Sequence, residues 1–349
     1  MPEMMKAVMG IEPGKLGIGE LEIPRPGEYE ALVKMEACAV CNSTDHKLLT
    51  NEFFSGAFPI ALGHEVISTV VDAGPKVENF RVGDRVFRQR LYDSHVPGGR
   101  SCWGGFAEYG IVVDEWARQG LAYGPESLPH DQQKLMIDVA PELAAGMITL
   151  MECLDCIRSC GAAPGKSVAV VGSGPVGQAL AMFAKLLGAG PVYAFGRDPA
   201  RAERFENVCG VDGYVSGECR ATFDVAVEAV GSVDALDRCI ELAGQAGRVF
   251  VYGIAPGSSP YRPDQMSRDN VSTVGAVEGR AQAALVRWIE EGKVNLSDWV
   301  SHVLPLEDYQ YAFDLVKGKQ ALKAVLLGDR PEVCAAPFTE REAAMALLH

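Results

Sequence analysis

A short apolar run, Val168-Ala169-Val170-Val171, leads directly into Gly172-Ser173-Gly174-Pro175-Val176-Gly177, and an apolar helical stretch follows over residues 178–187. A strand, a glycine turn and a helix in that order leave few folds open. The first glycine permits a tight turn, the second lets a pyrophosphate approach the backbone, and the third lets helix and strand pack closely. The helix N-terminus then presents N–H groups to negative charge. Residues 192–195, 225–227 and 249–252 are further apolar strands separated by helical stretches. Repeated strand–helix units specify an α/β fold with a doubly wound parallel sheet. In that setting Gly172, Gly174, Pro175, Val176 and Gly177 form a dinucleotide-binding loop. The competing reading, an ordinary glycine-rich connection, does not require the flanking strand and helix.

The end of the second strand of such a sheet selects the cofactor. An Asp or Glu there binds a free ribose 2′-hydroxyl. This chain has Gly196 at that position, followed by Arg197 and Asp198. Loss of the carboxylate removes repulsion of a 2′-phosphate, Arg197 supplies paired donors, and Arg201 offers a second cation. NADP(H) is therefore expected over NAD(H). In the alternative, Asp198 swings in to the ribose and Arg197 is solvated.

The 349 residues are enough for two domains. The first 150 read as short strands and turns, including strand-like runs over 31–35 and 65–71. A formal charge of −14 argues against a nucleic-acid partner. No apolar run approaches the roughly 20 residues of a membrane span, and the first residues lack the features of a signal peptide. A cytoplasmic protein with no membrane partner is expected. Its ten cysteines are then thiols or metal ligands rather than disulfides.

The N-terminal half holds Cys38-Ala39-Val40-Cys41-Asn42-Ser43-Thr44-Asp45-His46, then Gly63-His64-Glu65, then Gly83-Asp84-Arg85-Val86. Thiolate and imidazole suit zinc, and catalytic zinc uses three protein ligands and an open position. With Gly104-Gly105-Phe106-Ala107-Glu108-Tyr109, the nucleotide glycines and Glu228-Ala229-Val230-Gly231-Ser232, these motifs stand in the order found in one family. From about Lys6 to Leu327 the sequence resembles the zinc-dependent medium-chain dehydrogenase/reductase (alcohol/polyol dehydrogenase) family.

That resemblance implies a GroES-like β-barrel catalytic domain over 1–150 and 290–349, and a Rossmann domain over 151–289. It implies that Cys41 and His64 are zinc ligands and that Glu65 is the carboxylate beside the metal. Ser43 or Thr44 is the hydroxyl that takes the substrate proton, Asp45 orients a ligand imidazole, and His46 passes the proton to solvent. Two departures stand out. The family has Cys-x-Thr/Ser-Asp where this chain has Cys-Asn-Ser-Thr-Asp, so counting from Cys41 selects Ser43 and counting from Asp45 selects Thr44. The family also supplies a third Cys, Asp or Glu ligand before the nucleotide domain, but residues 143–151 contain no Cys, His, Asp or Glu. Glu142 and Glu152 flank the gap, with Cys153 just beyond. Glu65, Glu152 or extra water are the candidates to complete a single catalytic zinc, or the metal is absent.

The family's four-cysteine structural lobe is also missing, since only Cys102 lies between Val86 and Gly105, and no structural zinc is expected. Cys153, Cys156 and Cys160 share one helix face and read as core. Phe53, Phe54, Trp103 and Phe106 are candidate pocket walls. Thr339 and Glu342 form a capping box before a short C-terminal helix. The expected activity is NADP(H)-dependent, zinc-assisted interconversion of a secondary alcohol, polyol or cyclitol with its carbonyl compound, by a homodimer or homotetramer. A zinc-free enone or imine reductase on the same fold is the alternative, and a non-catalytic cofactor-binding protein is a third reading.

Overall fold

The computed structural model describes residues 3–52, 56–253 and 261–329. The N-terminal part is a set of strands, antiparallel except for the parallel pair β4–β7: β1 (Met4–Glu12), β2 (Lys15–Glu22), β3 (Glu30–Ala39), β4 (Ile60–Ala61), β5 (Glu65–Ala73), β6 (Arg85–Phe87), β7 (Arg100–Ser101) and β8 (Tyr109–Val113). They pair as β2-β1-β4-β7 and, through β3, as β3-β5-β6 with β8 also on β3. An isolated bridge between Ala7 and Ala107 links the two layers. The interior between them is filled by residues such as Val8, Met35, Cys38, Leu62, Val66 and Phe106.

The strands β9 (Val168–Val171), β10 (Val192–Phe195), β11 (Gly213–Val215), β12 (Val225–Glu228), β13 (Arg248–Val251) and β14 (Val271–Thr273) form a parallel sheet in the order β11-β10-β9-β12-β13-β14. Four of the six were expected, each to within a residue of the observed bounds. The order reverses at β9, where chain segments leave toward opposite sides and open a crevice at the strand ends. This is the α/β architecture, a GroES-like barrel joined to a Rossmann sheet.

The helices are α1 (Thr44–Leu49), α2 (Glu115–Gln119), α3 (Pro141–Ser159), α4 (Pro175–Leu186), α5 (Ala202–Asn207), α6 (Val233–Ala243), α7 (Pro263–Met266), α8 (Gln282–Glu290) and α9 (Tyr309–Lys317). Helix α3 runs continuously through residues 150 and 151, so it serves both halves of the chain. It packs on α4 and also on β3 and β5. Nearly all of it is apolar and buried, Cys153, Cys156 and Cys160 included. The last strands, β15 (His302–Pro305) and β16 (Ala324–Leu327), return to the barrel: β16 pairs antiparallel with β3 and parallel with β15. That return brings Lys323 back to the neighbourhood of β3 and β5. Among the described residues no helix is long and apolar enough to cross a membrane. Phe53, Phe54 and the C-terminal capping box lie outside the described residues.

Candidate active site at the barrel–sheet crevice

Cys41 follows β3 and precedes α1, while His64 and Glu65 stand at the start of β5. Because β3 and β5 are antiparallel neighbours, with Ala39 opposite Glu65, the end of one meets the beginning of the other. Gly63 has φ 96°, and a Cβ there would run into Phe106, so the turn that presents His64 depends on glycine. The ligand atoms of Cys41, His64 and Glu65 lie within 4.8 Å of one another.

Asp45, on α1 and fully buried, supports both other elements. Its Oδ2 accepts the Cys41 N–H at 2.9 Å, and its Oδ1 faces His64 Nδ1 at 3.2 Å. That contact is poorly aligned, and neither atom has another partner. Burial disfavours a charged imidazole, but Asp45 and Cys41 outweigh it and hold His64 well above the usual histidine range. A sulfur, an imidazole nitrogen and a carboxylate oxygen, with a carboxylate behind the imidazole, are a donor set that fits zinc.

Glu65 is held by residues that sequence reasoning missed. Its Oε1 lies 4.0 Å from His64 Nε2, whereas its Oε2 accepts from Lys323 Nζ at 2.6 Å and from the Thr149 hydroxyl at 2.8 Å. Lys323 Nζ also donates to Thr149 Oγ1 at 2.8 Å. Burial alone would raise the Glu65 carboxyl, yet Lys323, His64 and these hydrogen bonds hold it below its ordinary value. Thr149 stands in the stretch of α3 that lacked a third ligand. Glu152, one turn further on, is not in the cluster; its carboxylate is bound by Arg88.

Ser43, at the N-terminus of α1, is half-buried, and its Oγ accepts from Lys47 Nζ at 3.3 Å. Thr44 is buried as the first residue of α1. His46 lines a cleft with Cys41, Asn42, Gln310 and Asp314, so it faces α9. Trp103, with φ 70°, sets its ring 5.2 Å from that of His64, whereas Phe106 is fully buried against Phe313.

On the sheet side, Gly172 has φ 142°, and a Cβ on Gly177 would overlap the Gly172 carbonyl. A Cβ on Gly174 would meet open space, the room an approaching phosphate needs. Pro175 opens α4 at its first position, where a missing N–H costs nothing. Gly196 ends β10, and any side chain there would collide with Tyr214 Oη and Ser173. Tyr214 donates to the Asp198 carbonyl at 2.8 Å, while the Asp198 carboxylate accepts from Ala200 N–H at 3.0 Å and pairs with Arg201 at 3.6 Å. Arg197 is exposed and makes no hydrogen bond or ion pair among the described residues. Tyr214 and Ser173 were not read from the sequence. An aromatic on a short edge strand gives no signal beyond that of core packing.

Comparison with known proteins agrees with this architecture. Residues 27–119 match the family model of the alcohol dehydrogenase GroES-like domain, and residues 175–291 match that of the zinc-binding dehydrogenases. D-arabinitol dehydrogenase 1 of Uromyces fabae is 29% identical over 93% of this chain and 97% of its own length. L-threonine 3-dehydrogenase of Pyrococcus horikoshii is 28% identical over 94% and 99%. Among solved structures, benzyl alcohol dehydrogenase of Acinetobacter calcoaceticus superposes with a TM-score of 0.76 at 21% identity, covering 94% of this chain and all of the other. A zinc-binding dehydrogenase from Sinorhizobium meliloti 1021, bound to NADP, superposes with a TM-score of 0.74 at 23% identity over 93% and 100%. With the barrel, the sheet and the Cys–His–Glu cluster between them, the chain belongs to the medium-chain dehydrogenase/reductase family of alcohol and polyol dehydrogenases.

Proposed function

We propose that this protein is an NADP(H)-dependent oxidoreductase that interconverts a secondary alcohol, polyol or cyclitol and its carbonyl compound, with one zinc ion held by Cys41, His64 and Glu65. The observation that carries the reading is the convergence of those three ligand atoms within 4.8 Å. Relatives named as arabinitol and threonine dehydrogenases point to the same class of hydroxylated substrate. When bound, the metal supplies Lewis acidity that lowers a hydroxyl pKa. Asp45 fixes the His64 ring, Lys323 and Thr149 fix one oxygen of Glu65, and Trp103 walls the space beside His64. Ser43 or Thr44 receives the substrate's hydroxyl proton, and His46, in its cleft beside Cys41, passes it outward. A nicotinamide cofactor held at Gly172, Gly174 and Gly177 would supply the hydride chemistry.

Support for NADP(H) comes from the ribose end. Gly196, packed against Tyr214 Oη and Ser173, leaves no room for a carboxylate, Asp198 is engaged as a helix cap, and the exposed Arg197 follows Gly196 directly in the chain. A 2′-phosphate would meet a cation and two hydroxyls there. The working form is a homodimer or homotetramer.

One observation favours the zinc-free enone or imine reductase. A lysine ammonium occupies Glu65, and the stretch of α3 in which a third ligand was sought contributes only the Thr149 hydroxyl, bound to Glu65. Initial rates with NADP+ and NAD+ over a panel of polyols, cyclitols and secondary alcohols, before and after chelation, decide between them. Chelator-sensitive, NADP-preferring alcohol oxidation supports the first reading. Chelator-insensitive reduction of an enone or imine by a zinc-free protein replaces it with the second.

A further inference from the structure

Arg88 leaves β6 with φ 63°, a left-handed conformation that side-chain-bearing residues rarely adopt. The backbone is held there from both sides: its N–H donates to the Val66 carbonyl at 2.9 Å, and its carbonyl accepts from Gln132 Nε2 at 2.8 Å. The side chain is only 6% exposed. Its guanidinium joins three parts of the molecule. Nη1 donates to the backbone carbonyl of His64 at 3.0 Å. Nη2 binds the carboxylates of Glu152, on α3, and of Glu278, in the segment that follows β14.

Burying a cation and two carboxylates costs desolvation that an apolar trio of the same volume would avoid. The left-handed backbone adds a further cost of order 1–3 kcal/mol. What such a cluster provides is a fixed geometry, because a guanidinium fork binds its acceptors in set directions. Its partners are the right ones for that purpose. His64 belongs to the barrel's ligand turn, Glu278 is carried by the parallel sheet, and α3 packs on both. The segment around Glu278 is also tied down along its length. The Val277 N–H donates to Asp155 Oδ2 at 2.8 Å, Gln133 Nε2 donates to the Gly279 carbonyl at 3.3 Å, and Gln282 Oε1 accepts the Met136 N–H at 2.8 Å.

We propose that Arg88 is a positioning residue which, through Glu278 and Glu152, locks the cofactor-bearing sheet in register with His64 so that the nicotinamide meets the substrate carbon at transfer distance. This rests on the hydride-transfer reading above. Reacting atoms must stand about 3–3.5 Å apart, and a misplacement of about 1 Å costs up to about a hundredfold in rate. The clamp acts through the backbone carbonyl of a ligand residue and the loop beyond β14, and not through the ligand atoms of Cys41, His64 or Glu65.

The test compares Glu278→Ala, Glu278→Asp and Glu278→Gln with the wild type. Aspartate keeps the charge but shortens the arm by one methylene. Glutamine keeps the length and an acceptor for Arg88. Burial, opposed by Arg88 and reinforced by Glu152, pushes the Glu278 carboxyl up to about 7, so a neutral group of that shape is one the cluster already accommodates. On each sample we would measure kcat and KM with NADP(H), NADPH affinity by fluorescence, and zinc content. The alanine and aspartate variants are expected to lose about tenfold or more in kcat while substrate KM, NADPH affinity and zinc content stay within about threefold, and glutamine restores most of kcat. Should alanine fail to fold, the aspartate–glutamine pair decides alone. Wild-type kcat in the aspartate variant, or a fall that only follows lost zinc or lost NADPH affinity, overturns the clamp. A wild type that turns over no alcohol or carbonyl compound in the same assay overturns the reaction assignment instead.

Discussion

Replacing Lys323 with methionine probes the electrostatics of the site directly. Lys323 is 7% exposed, and its ammonium lies 2.6 Å from Glu65 Oε2. At that distance the attraction is roughly 6 kcal/mol at an effective dielectric constant of about 20, before desolvation is counted. Methionine keeps the stem and volume but leaves Glu65, 1% exposed, with the Thr149 hydroxyl alone on Oε2. A buried carboxylate stripped of its cation costs about 3–5 kcal/mol, less whatever it recovers by taking up a proton. In the wild type the Glu65 carboxyl is depressed, so it contributes stability that is present above the unfolded-chain value and lost as the pH falls through the folded one. Lys323→Met removes that contribution. The metal-free variant therefore melts lower than the wild type at neutral pH, and the gap narrows as the pH falls, first as the variant's carboxyl, raised by burial without its cation, takes up a proton, and then below about pH 4 as the wild-type contribution is lost. Zinc affinity moves the other way. The ammonium and a divalent cation compete for one carboxylate, so the variant is expected to bind zinc about tenfold more tightly or better, each decade being about 1.4 kcal/mol. Melting curves of metal-free protein across the acid range, and zinc competition against a chromophoric chelator, measure both. A metal-free variant as stable as the wild type at neutral pH, or one whose zinc affinity is unchanged or weaker, refutes the reasoning.

Asp45→Asn removes the carboxylate behind His64 and is expected to weaken zinc binding about 10- to 100-fold, read as zinc retained after dialysis against graded chelator. Arg197→Ala should lower kcat/KM with NADPH by about 10- to 100-fold, the worth of a charged hydrogen bond, and leave the value with NADH unchanged. Equal losses with both cofactors would remove Arg197 from the 2′-phosphate site. Ser43→Ala and Thr44→Val separate the two relay candidates. One of them should cost about a hundredfold or more in kcat with zinc content intact, and the other should cost little.

The parts of the fold that were legible in the sequence are those whose physics is local. Strands β9, β10, β12 and β13 are buried on both faces and so read as unbroken apolar runs. The edge strands β11 and β14 are three residues each and half-buried, too short and too mixed to show a period. Helix α4 begins at Pro175, three residues before its apolar stretch, because proline belongs to the first turn as well as to loops. In the site, Cys41, His64 and Glu65 stand in recognisable motifs. Lys323 does not: it lies 258 residues from Glu65 and reaches it only because β16 returns to pair with β3. The available signal was a lysine at the head of Ala324-Val325-Leu326-Leu327, a charge at the mouth of a wholly apolar strand. Thr149 was passed over because an ionisable ligand was sought there, and a hydroxyl acting as a bridge was not.

The lack of an acidic or thiol residue over 143–151 and the lysine at 323 are best understood as one feature. Thr149 donates to Glu65 and accepts from Lys323, so a neutral residue at that place is what lets the ammonium and the carboxylate meet. An acidic residue at 149 would capture Lys323 itself and free Glu65. The balance of charge changes with it. On the proposed zinc reading, a thiolate at Cys41 and the Glu65 and Asp45 carboxylates would set three negative charges against the three positive ones of a divalent ion and Lys323, so without the ammonium the loaded pocket would hold one negative charge in excess. An oxygen that is losing its proton would be repelled by that excess, whereas a neutral alcohol would feel little of it, so the ammonium that cancels it would favour the ionised oxygen. On that reading the same lysine would weaken metal binding by occupying Glu65 and would favour the ionised oxygen over the neutral one. Loose metal binding and discrimination between alcohol and alkoxide would then be two consequences of a single buried ammonium.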